Sequence, residues 1–379
     1  MISKILSAAV IGLEAAEVEV EADVTNGLPA TIVVGLPDTA VQESRERVKA
    51  AIKNSECSYP QTRVSVNLAP ADVPKLGTHF DLPIALAILS AAEQITFDPA
   101  GKIFLGELSL DGQLRPVSGV LAVAIKAKDS GVKELYVPRA NAKEAALVGG
   151  IKVYPVDNLK QLLAHFLRQK CLTEEPQVDT GEVFKNFSPA LDMTDVAGQE
   201  LAKRALEIAA AGGHNILLSG PPGSGKTLLA RAMAGILPDL SLEEALELTK
   251  IYSIAGKLSG NFVVSRPVRS PHHTTSNVAL VGGGSIPRPG EITLSHRGIL
   301  FLDEFPEFPR NVLEALRQPL EDGVVTVSRA AGSFTFPAKF TLVAAQNPCP
   351  CGYFGDNTKN CVCSPGQIFK YQKKISGPL

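Results

Sequence analysis

Alternating apolar and polar residues predict strands in the first half of the chain, and 3.6-residue periodicity predicts helices between them. The domain that results mixes both element types without regular alternation, so we expect an α+β fold. Strands are expected at residues 5–13, 17–23, 31–34 and 63–68, helices at 39–54 and 82–92, and further strand or helix segments at 103–110, 117–130, 135–137 and 159–169.

The second half alternates short apolar runs with amphipathic segments. This pattern is typical of an α/β domain with a parallel sheet covered on both faces. Helices are expected at 199–211, 226–237 and 312–320, buried strands at 215–219, 299–302 and 340–345, and a hairpin at 324–328 and 333–336. Residues 171–189 are polar and contain two prolines, so they are interpreted as a linker between a domain at 1–170 and one at 190–379.

Composition narrows the class of protein. A chain of 379 residues exceeds the roughly 250 to 300 that one core supports, so two domains are expected. Acidic and basic residues nearly balance (39 against 37), and any nucleic-acid contact must therefore be local. No apolar run approaches the roughly 20 residues of a membrane span. Four of the six cysteines lie within residues 349–363, which favours metal binding in a reducing compartment, and we expect a cytoplasmic location.

One segment matches the phosphate-binding loop G-x-x-x-x-G-K-[ST] and lies between a predicted strand and a predicted helix. In that context its backbone N–H groups surround phosphates, its lysine reaches the β- and γ-phosphates, and its threonine binds Mg²⁺. The alternative, a chance glycine-rich turn, does not explain this position. The segment consists of Gly220, Pro221, Pro222, Gly223, Ser224, Gly225, Lys226 and Thr227.

Two further strands end in residues that suit ATP hydrolysis. The strand at 299–302 is followed by Asp303, a candidate Mg²⁺ ligand, and by Glu304, a candidate base for the attacking water. The strand at 340–345 leads to Asn347, whose amide is suited to orient that water. Considered alone, the two acids could be a solvated strand end, and Asn347 could be a turn residue before Pro348.

The clustered cysteines have the symmetrical spacing C-x-C-x₉-C-x-C. Four thiolates are enough for one tetrahedral Zn²⁺ site, although paired cysteines in such sites are usually separated by two residues. Free thiols and redox pairs remain alternatives. The candidate ligands are Cys349, Cys351, Cys361 and Cys363.

These parts, in this order, resemble AAA+ ATPases, and in detail the magnesium-chelatase-like ComM/YifB branch of that class. The segments that carry the resemblance are DVAGQ at 195–199, PHHTTS at 271–276, GGGSIPRPGE at 282–291, LRQPLEDG at 316–323 and NPCPCG at 347–352. The resemblance implies an ATP- and Mg²⁺-dependent ring, a homo-hexamer, that remodels DNA as a helicase promoting branch migration in recombination and natural transformation. A magnesium-chelatase-like motor and a non-hydrolysing nucleotide-binding adaptor are the alternatives.

Loops in the second domain are candidate DNA contacts. Between Lys226 and Asp303 lies an insertion with four arginines and the glycines 282–284, and a hairpin around Arg329 resembles the pre-sensor insertion of this branch. On a strand, His272 and His273 would point apart, so we expect a loop or subunit-contact role for them. The insertion arginines are Arg266, Arg269, Arg288 and Arg297.

The first domain resembles the proteolytic domain of Lon-type proteases, whose fold is shared with ribosomal protein S5. The resemblance rests on FLGELSLDG at 104–112, RPVSGV at 115–120 and VKELYVP at 132–138. Lon chemistry needs a Ser–Lys dyad. Asp81 stands near the nucleophile position and Leu121 at the lysine position, and neither Ser118 nor Lys126 restores the dyad. We expect assembly, partner binding or DNA binding instead of peptidase activity.

The chain ends at Leu379, where the family it resembles continues into an arginine finger and a helical lid. From this we expect a lidless ATPase core with weak ATP binding and poor sustained hydrolysis.

Overall fold

The computed structural model describes residues 2–178, 181, 184, 191–284, 287–329, 332–357 and 359–375, without the side chains of 329 and 332. The chain divides into two compact units. The first comprises Met1–Thr180 and Tyr252–Phe262, and the second comprises Gly181–Ile251 and Val263–Leu379. Among the described residues, no helix is long and apolar enough to cross a bilayer.

The first unit is built on a seven-stranded mixed sheet in the order β3-β4-β2-β1-β5-β8-β9. Its strands are β1 (Ile2–Ile11), β2 (Glu14–Thr25), β3 (Ala30–Val34), β4 (Arg63–Ala69), β5 (Lys102–Phe104), β8 (Glu134–Pro138) and β9 (Lys152–Val156), and β6 (Glu107–Leu108) pairs with β7 (Leu114–Arg115) outside it. Its helices are α1 (Thr39–Asn54), α2 (Asp81–Ala91), α3 (Val120–Asp129), α4 (Arg139–Ala145) and α5 (Leu159–Phe166).

Strand β2 shows why the alternating pattern predicts the sheet. Val18 and Val20 are fully buried in the core, whereas Glu19 and Glu21 lie on the opposite face. There the ammonium of Lys4 on β1 bridges both carboxylates at 2.7 and 2.9 Å. Period-two patterning thus separates the core face from a charged face. Helix α2 lacks an amphipathic pattern because almost all of its residues are buried.

The predicted elements of the first unit correspond to observed ones, but three elements were missed. These are strand β7, helix α4 and strand β9, whose sequences are short and lack clear periodicity. Part of the segment assigned to the linker lies along the first unit: Leu172 packs against its core, and the N–H of Glu175 donates to the carbonyl of Val153 at 2.8 Å.

A segment from later in the chain completes the first unit. Ser253 lies in Tyr252–Phe262, and its hydroxyl accepts the N–H of Gly119 at 2.9 Å and donates to the Glu144 carboxylate. Glu144 is buried and also accepts the N–H of Leu121 at 2.9 Å. Burial raises the pKa of Glu144, although these hydrogen bonds act in the opposite direction. The sequence predicted two contiguous domains, 1–170 and 190–379, and did not predict that Tyr252–Phe262 belongs to the first unit.

The second unit contains a four-stranded parallel sheet in the order β10-β17-β14-β11. Its strands are β10 (Ile216–Ser219), β11 (Val268–Arg269), β14 (Ile299–Leu302) and β17 (Thr341–Gln346), with the pairs β12 (Gly282–Gly283)/β13 (Arg288–Pro289) and β15 (Val324–Arg329)/β16 (Gly332–Pro337). Its helices are α6 (Glu200–Gly212), α7 (Lys226–Ala232), α8 (Leu242–Ile254), α9 (Asn277–Val281), α10 (Glu291–Leu294), α11 (Arg310–Glu314), α12 (Arg317–Asp322) and α13 (Pro365–Gln372). The parallel sheet expected for this unit is confirmed.

Proline accounts for a difference at the helix predicted over 312–320. The structure has two short helices, α11 and α12, which meet at Ala315 and Leu316. Pro319 has no N–H to donate to the carbonyl of Ala315, so a continuous helix loses that hydrogen bond. The helix predicted over 226–237 also changes, because α7 continues as the 3₁₀ helix Met233–Ile236 before Pro238.

A buried ion pair joins α1 to α2 in the first unit. Asp81 is fully buried, and its carboxylate accepts two hydrogen bonds from the Arg47 guanidinium, at 2.7 and 3.0 Å. Burial raises the pKa of Asp81 to about 6, while Arg47 and the N–H of Leu108 favour the charged form. Asp81, which stands near the nucleophile position expected from the Lon-type resemblance, therefore joins α2 to α1.

Replacing Arg47 with leucine leaves the buried Asp81 carboxylate without its partner. We expect a loss of about 3 to 5 kcal/mol in the free energy of unfolding of the first unit. Urea unfolding measures this loss, with Arg45→Leu on the exposed face of α1 as a matched control that changes stability by about 0.5 kcal/mol or less. The double variant Arg47→Leu/Asp81→Leu should recover most of the loss. A double variant no more stable than Arg47→Leu would contradict this account.

Candidate nucleotide site

Three parallel strands bring the candidate ATPase residues to one edge of the second unit's sheet. Strand β17 lies between β10 and β14, with Ser219 opposite Gln346 and Leu302 opposite Ala344. Because the carboxyl ends of parallel strands meet at the same edge, the loops that follow them converge. These loops contain the phosphate-binding segment, the acidic pair and Asn347.

The phosphate-binding loop has the backbone that its glycines permit. Gly223 and Gly225 have φ of +78° and +84°, a region that other residues rarely adopt. The Lys226 ammonium donates to the carbonyls of Gly220 and Pro221 at 2.8 and 3.0 Å, and burial lowers its pKa. The lysine therefore lies across the loop, with its charge directed at the loop's own oxygens.

The two candidate Mg²⁺ ligands are in direct contact. The Thr227 hydroxyl donates to Asp303 Oδ2 at 2.9 Å. One oxygen comes from the start of α7 and the other from the end of β14. A hydroxyl and a carboxylate at this separation form an oxygen pair that suits a hard divalent cation.

Glu304 contacts a histidine for which the sequence predicts only a loop or subunit-contact role. Its carboxylate oxygen Oε2 lies 3.1 Å from Nδ1 of His273, and its backbone is left-handed, with φ of +51°. His273 lies in a loop after β11, as expected, but its ring is 4.1 Å from that of His272, because the segment is not a strand. The PHHTTS motif was the available signal, but only the fold brings it to Glu304.

Asn347 reaches the phosphate-binding loop. Its side-chain oxygen accepts a hydrogen bond from the Lys226 ammonium at 3.3 Å, and its backbone lies beside the Tyr371 hydroxyl on α13. Gln199 also touches the loop, with its amide donating to the carbonyl of Ser224 at 3.2 Å. The two residues contact the loop from different segments.

The four clustered cysteines converge after β17. Their sulfur atoms all lie within 4.8 Å of one another, and three Sγ–Sγ distances among Cys349, Cys351 and Cys361 are 3.3 to 3.7 Å. Zn–S bonds of about 2.3 Å in a tetrahedron separate the sulfurs by about 3.8 Å. The backbone of Tyr353 helps to lower the pKa of Cys351 to about 6. The cluster therefore matches the size of a tetrahedral site.

The cysteine loop packs directly on the phosphate-binding loop. A Cβ at Gly352 would lie 2.6 Å from Cδ of Pro222 and 3.9 Å from Cγ of Asn347. This closeness and the φ of +86° both require glycine. The loop thus supports one wall of the candidate nucleotide site.

Three of the four insertion arginines form ion pairs inside the second unit. Arg269 forms a bidentate pair with Glu291 at 2.6 and 2.9 Å, and Arg266 and Arg297 both pair with Glu244. These guanidinium groups are engaged inside the unit because carboxylates from neighbouring segments fold onto them. Arg288 is exposed in β13, opposite Gly283 of β12, and the side chain of Arg329 lies outside the described residues.

Comparisons with known proteins agree with this geometry. The family model "Magnesium chelatase, subunit ChlI" matches residues 192–379, and "Subunit ChlI of Mg-chelatase" matches 20–141. The chain is 47% identical to YifB of Escherichia coli over 98% of its length and 72% of that protein. It is 46% identical to the competence protein ComM of Haemophilus influenzae over 99% of its length and 74% of that protein. The chain belongs to the magnesium-chelatase-like ComM/YifB family.

A more distant relative matches part of this ComM/YifB-family chain. The magnesium-chelatase 67 kDa subunit of Chlorobaculum parvum is 29% identical over 161 residues, which is 41% of the chain and 23% of that protein. Family membership assigns nucleotide binding and an AAA+ fold of the magnesium-chelatase type to the second unit.

The contact between Gly352 and Pro222 provides a test of the site's architecture. In Gly352→Ala the new methyl group pushes on the rigid Pro222 ring, and we expect ATP affinity to fall about tenfold, as measured with a fluorescent nucleotide. Gly355→Ala is the matched control, because Gly355 has a similar φ of +79° but open space around a Cβ. Equal losses in both variants would show that backbone strain alone is responsible.

Proposed function

We propose that the chain is the ATP-hydrolysing part of a DNA-remodelling motor of the helicase or branch-migration type, acting in recombination and natural transformation. The observation that carries the hydrolytic part is the convergence of Lys226, the Thr227–Asp303 pair and Glu304 at one edge of a parallel sheet. A phosphate loop, a cation pair and a carboxylate base are the groups that phosphoryl transfer to water needs.

The residues act as follows. Lys226 moves from the carbonyls of Gly220 and Pro221 to the β- and γ-phosphates of ATP, a shift within reach of its flexible side chain. Thr227 and Asp303 would hold Mg²⁺, and the ion would supply positive charge opposite the phosphates. Glu304 accepts the proton of the attacking water, and Asn347 orients that water beside the γ-phosphate.

His273 sets the orientation of the Glu304 carboxylate. Its ring also packs edge-on against Phe308, with ring centroids 6.4 Å apart. The carboxylate is half-exposed and needs such a partner to hold one direction. We therefore place His273 among the positioning residues of the hydrolytic site.

DNA as the partner rests on the relatives. ComM of Haemophilus influenzae is named a competence protein, and the match to it covers almost the whole chain. AAA+ ATPases of this class assemble as rings, so we propose a homo-hexamer. For the first unit we propose a Lon-like fold that serves assembly or partner binding, since Asp81 is locked by Arg47 and Leu121 is buried.

The two alternative functions have less support. The alternative of a motor that inserts Mg²⁺ into a porphyrin is supported by the similarity to the chelatase subunit of Chlorobaculum parvum, but that similarity covers only 41% of the chain. An adaptor that binds ATP without turnover would not need the contact between His273 and Glu304. Stimulation of hydrolysis by DNA separates the motor from both.

For the cysteine cluster we propose one structural Zn²⁺ per chain. The near-tetrahedral spacing of the sulfurs supports this assignment, and so does the N–H of Phe354, which donates to Cys349 Sγ at 3.3 Å and favours a thiolate there. The bound ion would fix the loop that Gly352 presses against Pro222. Free thiols would leave this wall of the nucleotide site less rigid.

Replacing Glu304 with glutamine tests the hydrolytic site. We expect ATP turnover to fall about 100-fold or more because the base is removed, with ATP affinity within about threefold of the parent. Turnover and nucleotide binding are measured with and without single-stranded and forked DNA, and Glu321→Gln, an exposed carboxylate of the same unit, is the control. DNA should stimulate the parent and the control only. Turnover that no DNA changes would remove the motor and leave the nucleotide-binding assignment.

Removal of the thiolates tests the zinc site. Elemental analysis of the purified protein should give one zinc per chain, and Cys361→Ser/Cys363→Ser should lose it. Because the cysteine loop supports Pro222, the same variant should bind ATP about tenfold more weakly. Cys57→Ser/Cys171→Ser, which alters the two cysteines outside the cluster, should change neither value. Parent protein without zinc, or zinc retained in the cluster variant, would refute the assignment.

A further inference from the structure

A basic cleft lies next to the hydrolytic residues of the second unit. Its volume is about 530 Å³, and it is bounded by the 3₁₀ helix Phe305–Glu307 with the residues after it and by α13. The residues that line the cleft are Pro306, Glu307, Phe308, Arg310, Lys370, Lys373 and Lys374.

Positive charge dominates this cleft. Among the described residues that line it, Glu307 is the one carboxylate, and it pairs with Lys374 at 2.8 Å. Arg310 is exposed and lies 3.7 Å from Glu314. Lys370 and Lys373 have no carboxylate within 4.0 Å in the part of the chain that the structure describes. Two uncompensated ammonium groups therefore face solvent beside a third that is balanced by one acid.

The contrast with the insertion arginines is informative. Within the unit, Glu244 forms ion pairs with Arg266 and Arg297. Glu291 forms an ion pair with Arg269. A polyanion that approached them would have to displace these carboxylates. At Lys370 and Lys373 it would displace only water and counterions, which is the favourable case for phosphate binding.

We propose that this cleft binds the phosphodiester backbone of a nucleic acid. The choice of nucleic acid as the polyanion rests on the proposed function, whereas the location rests on the charges. Contacts to the backbone are favoured over stacking on bases because Phe308 is only 4% exposed. The half-exposed ring of Phe369 on α13 is covered by the Lys373 ammonium at 4.3 Å. Binding should therefore tolerate any base sequence.

Both walls of the cleft are attached to hydrolytic residues. Glu304 is the N-cap residue of the 3₁₀ helix that carries Glu307. On the other wall, the Tyr371 hydroxyl of α13 lies beside the backbone of Asn347. A phosphate that competes for Lys374 releases Glu307, so binding in the cleft alters the support of Glu304 and Asn347 together. This gives nucleic acid a short physical route to ATP hydrolysis.

The salt dependence of binding tests the location. Affinity for a labelled single-stranded oligonucleotide is measured by fluorescence anisotropy between about 50 and 200 mM salt for the full chain and for Lys370→Gln/Lys373→Gln. We expect the double variant to bind at least about tenfold more weakly, and the magnitude of the log–log salt slope to fall by about 1.4, because each lost phosphate contact removes about 0.7. Oligonucleotides of different base sequence should give the same result.

A matched control and a variant of opposite sign sharpen the test. Lys339→Gln/Lys359→Gln removes the same charge from exposed positions outside the cleft and should leave affinity and slope nearly unchanged. Glu307→Gln removes the carboxylate that lines the cleft in the described part of the chain and should tighten binding about threefold. Equal effects of the two lysine pairs, or weaker binding by Glu307→Gln, would overturn the proposal.

A surface for a second copy of the chain is the competing occupant. Sedimentation of the same variants decides this question. If Lys370→Gln/Lys373→Gln reduces self-association and leaves the salt slope of DNA binding unchanged, the cleft is a subunit interface and the proposal fails.

The proposed function has a separate test. It fails if DNA binds to the parent protein but does not change its rate of ATP hydrolysis. Loss of binding in the cleft variant, with parent turnover unaffected by DNA, would retain the cleft and reject the motor.

Discussion

The position of strand β17 between β10 and β14 is the constraint on which the nucleotide site depends. Parallel pairing on both sides fixes where the three strands end, because a slip of one residue would turn every side chain of β17 to the other face. The phosphate loop, the acidic pair and Asn347 each follow one of these strands. Their contacts, such as Thr227 with Asp303, are consequences of that register.

The segment after β17 adds further contacts to the phosphate loop at the edge of the sheet. It begins with Asn347 at the Lys226 ammonium, continues through the cysteine loop against Pro222, and ends in α13, which returns to Asn347 through Tyr371. One stretch of chain thereby contacts the phosphate loop twice and lines the basic cleft. A structural metal in the cysteine loop would stabilise this whole arrangement because the loop has little hydrophobic core of its own.

Buried charges play two different roles in this protein. In the first unit, the pair between Arg47 and Asp81 and the hydrogen bonds around Glu144 use carboxylates to connect segments distant in sequence. Their loss would leave a desolvated charge, so they contribute specificity to the fold. In the second unit, carboxylates neutralise three of the four insertion arginines, whereas Lys370 and Lys373 at the end of α13 face solvent or a ligand.

Much of this protein was determined by local sequence. Strong periodicity predicted most strands and helices, and the phosphate loop, Asp303 and Glu304 were identified because their spacing carries the chemistry that ATP requires. Weak or interrupted patterns failed where tertiary contacts decide the outcome, as at α4, at β9 and at the helix divided before Pro319. The partnership of His273 with Glu304, the pairing of the insertion arginines and the return of Tyr252–Phe262 to the first unit all join residues far apart in the chain. Such contacts leave no periodic trace in the sequence, because only the folded sheet and its packed segments bring their members within bonding distance.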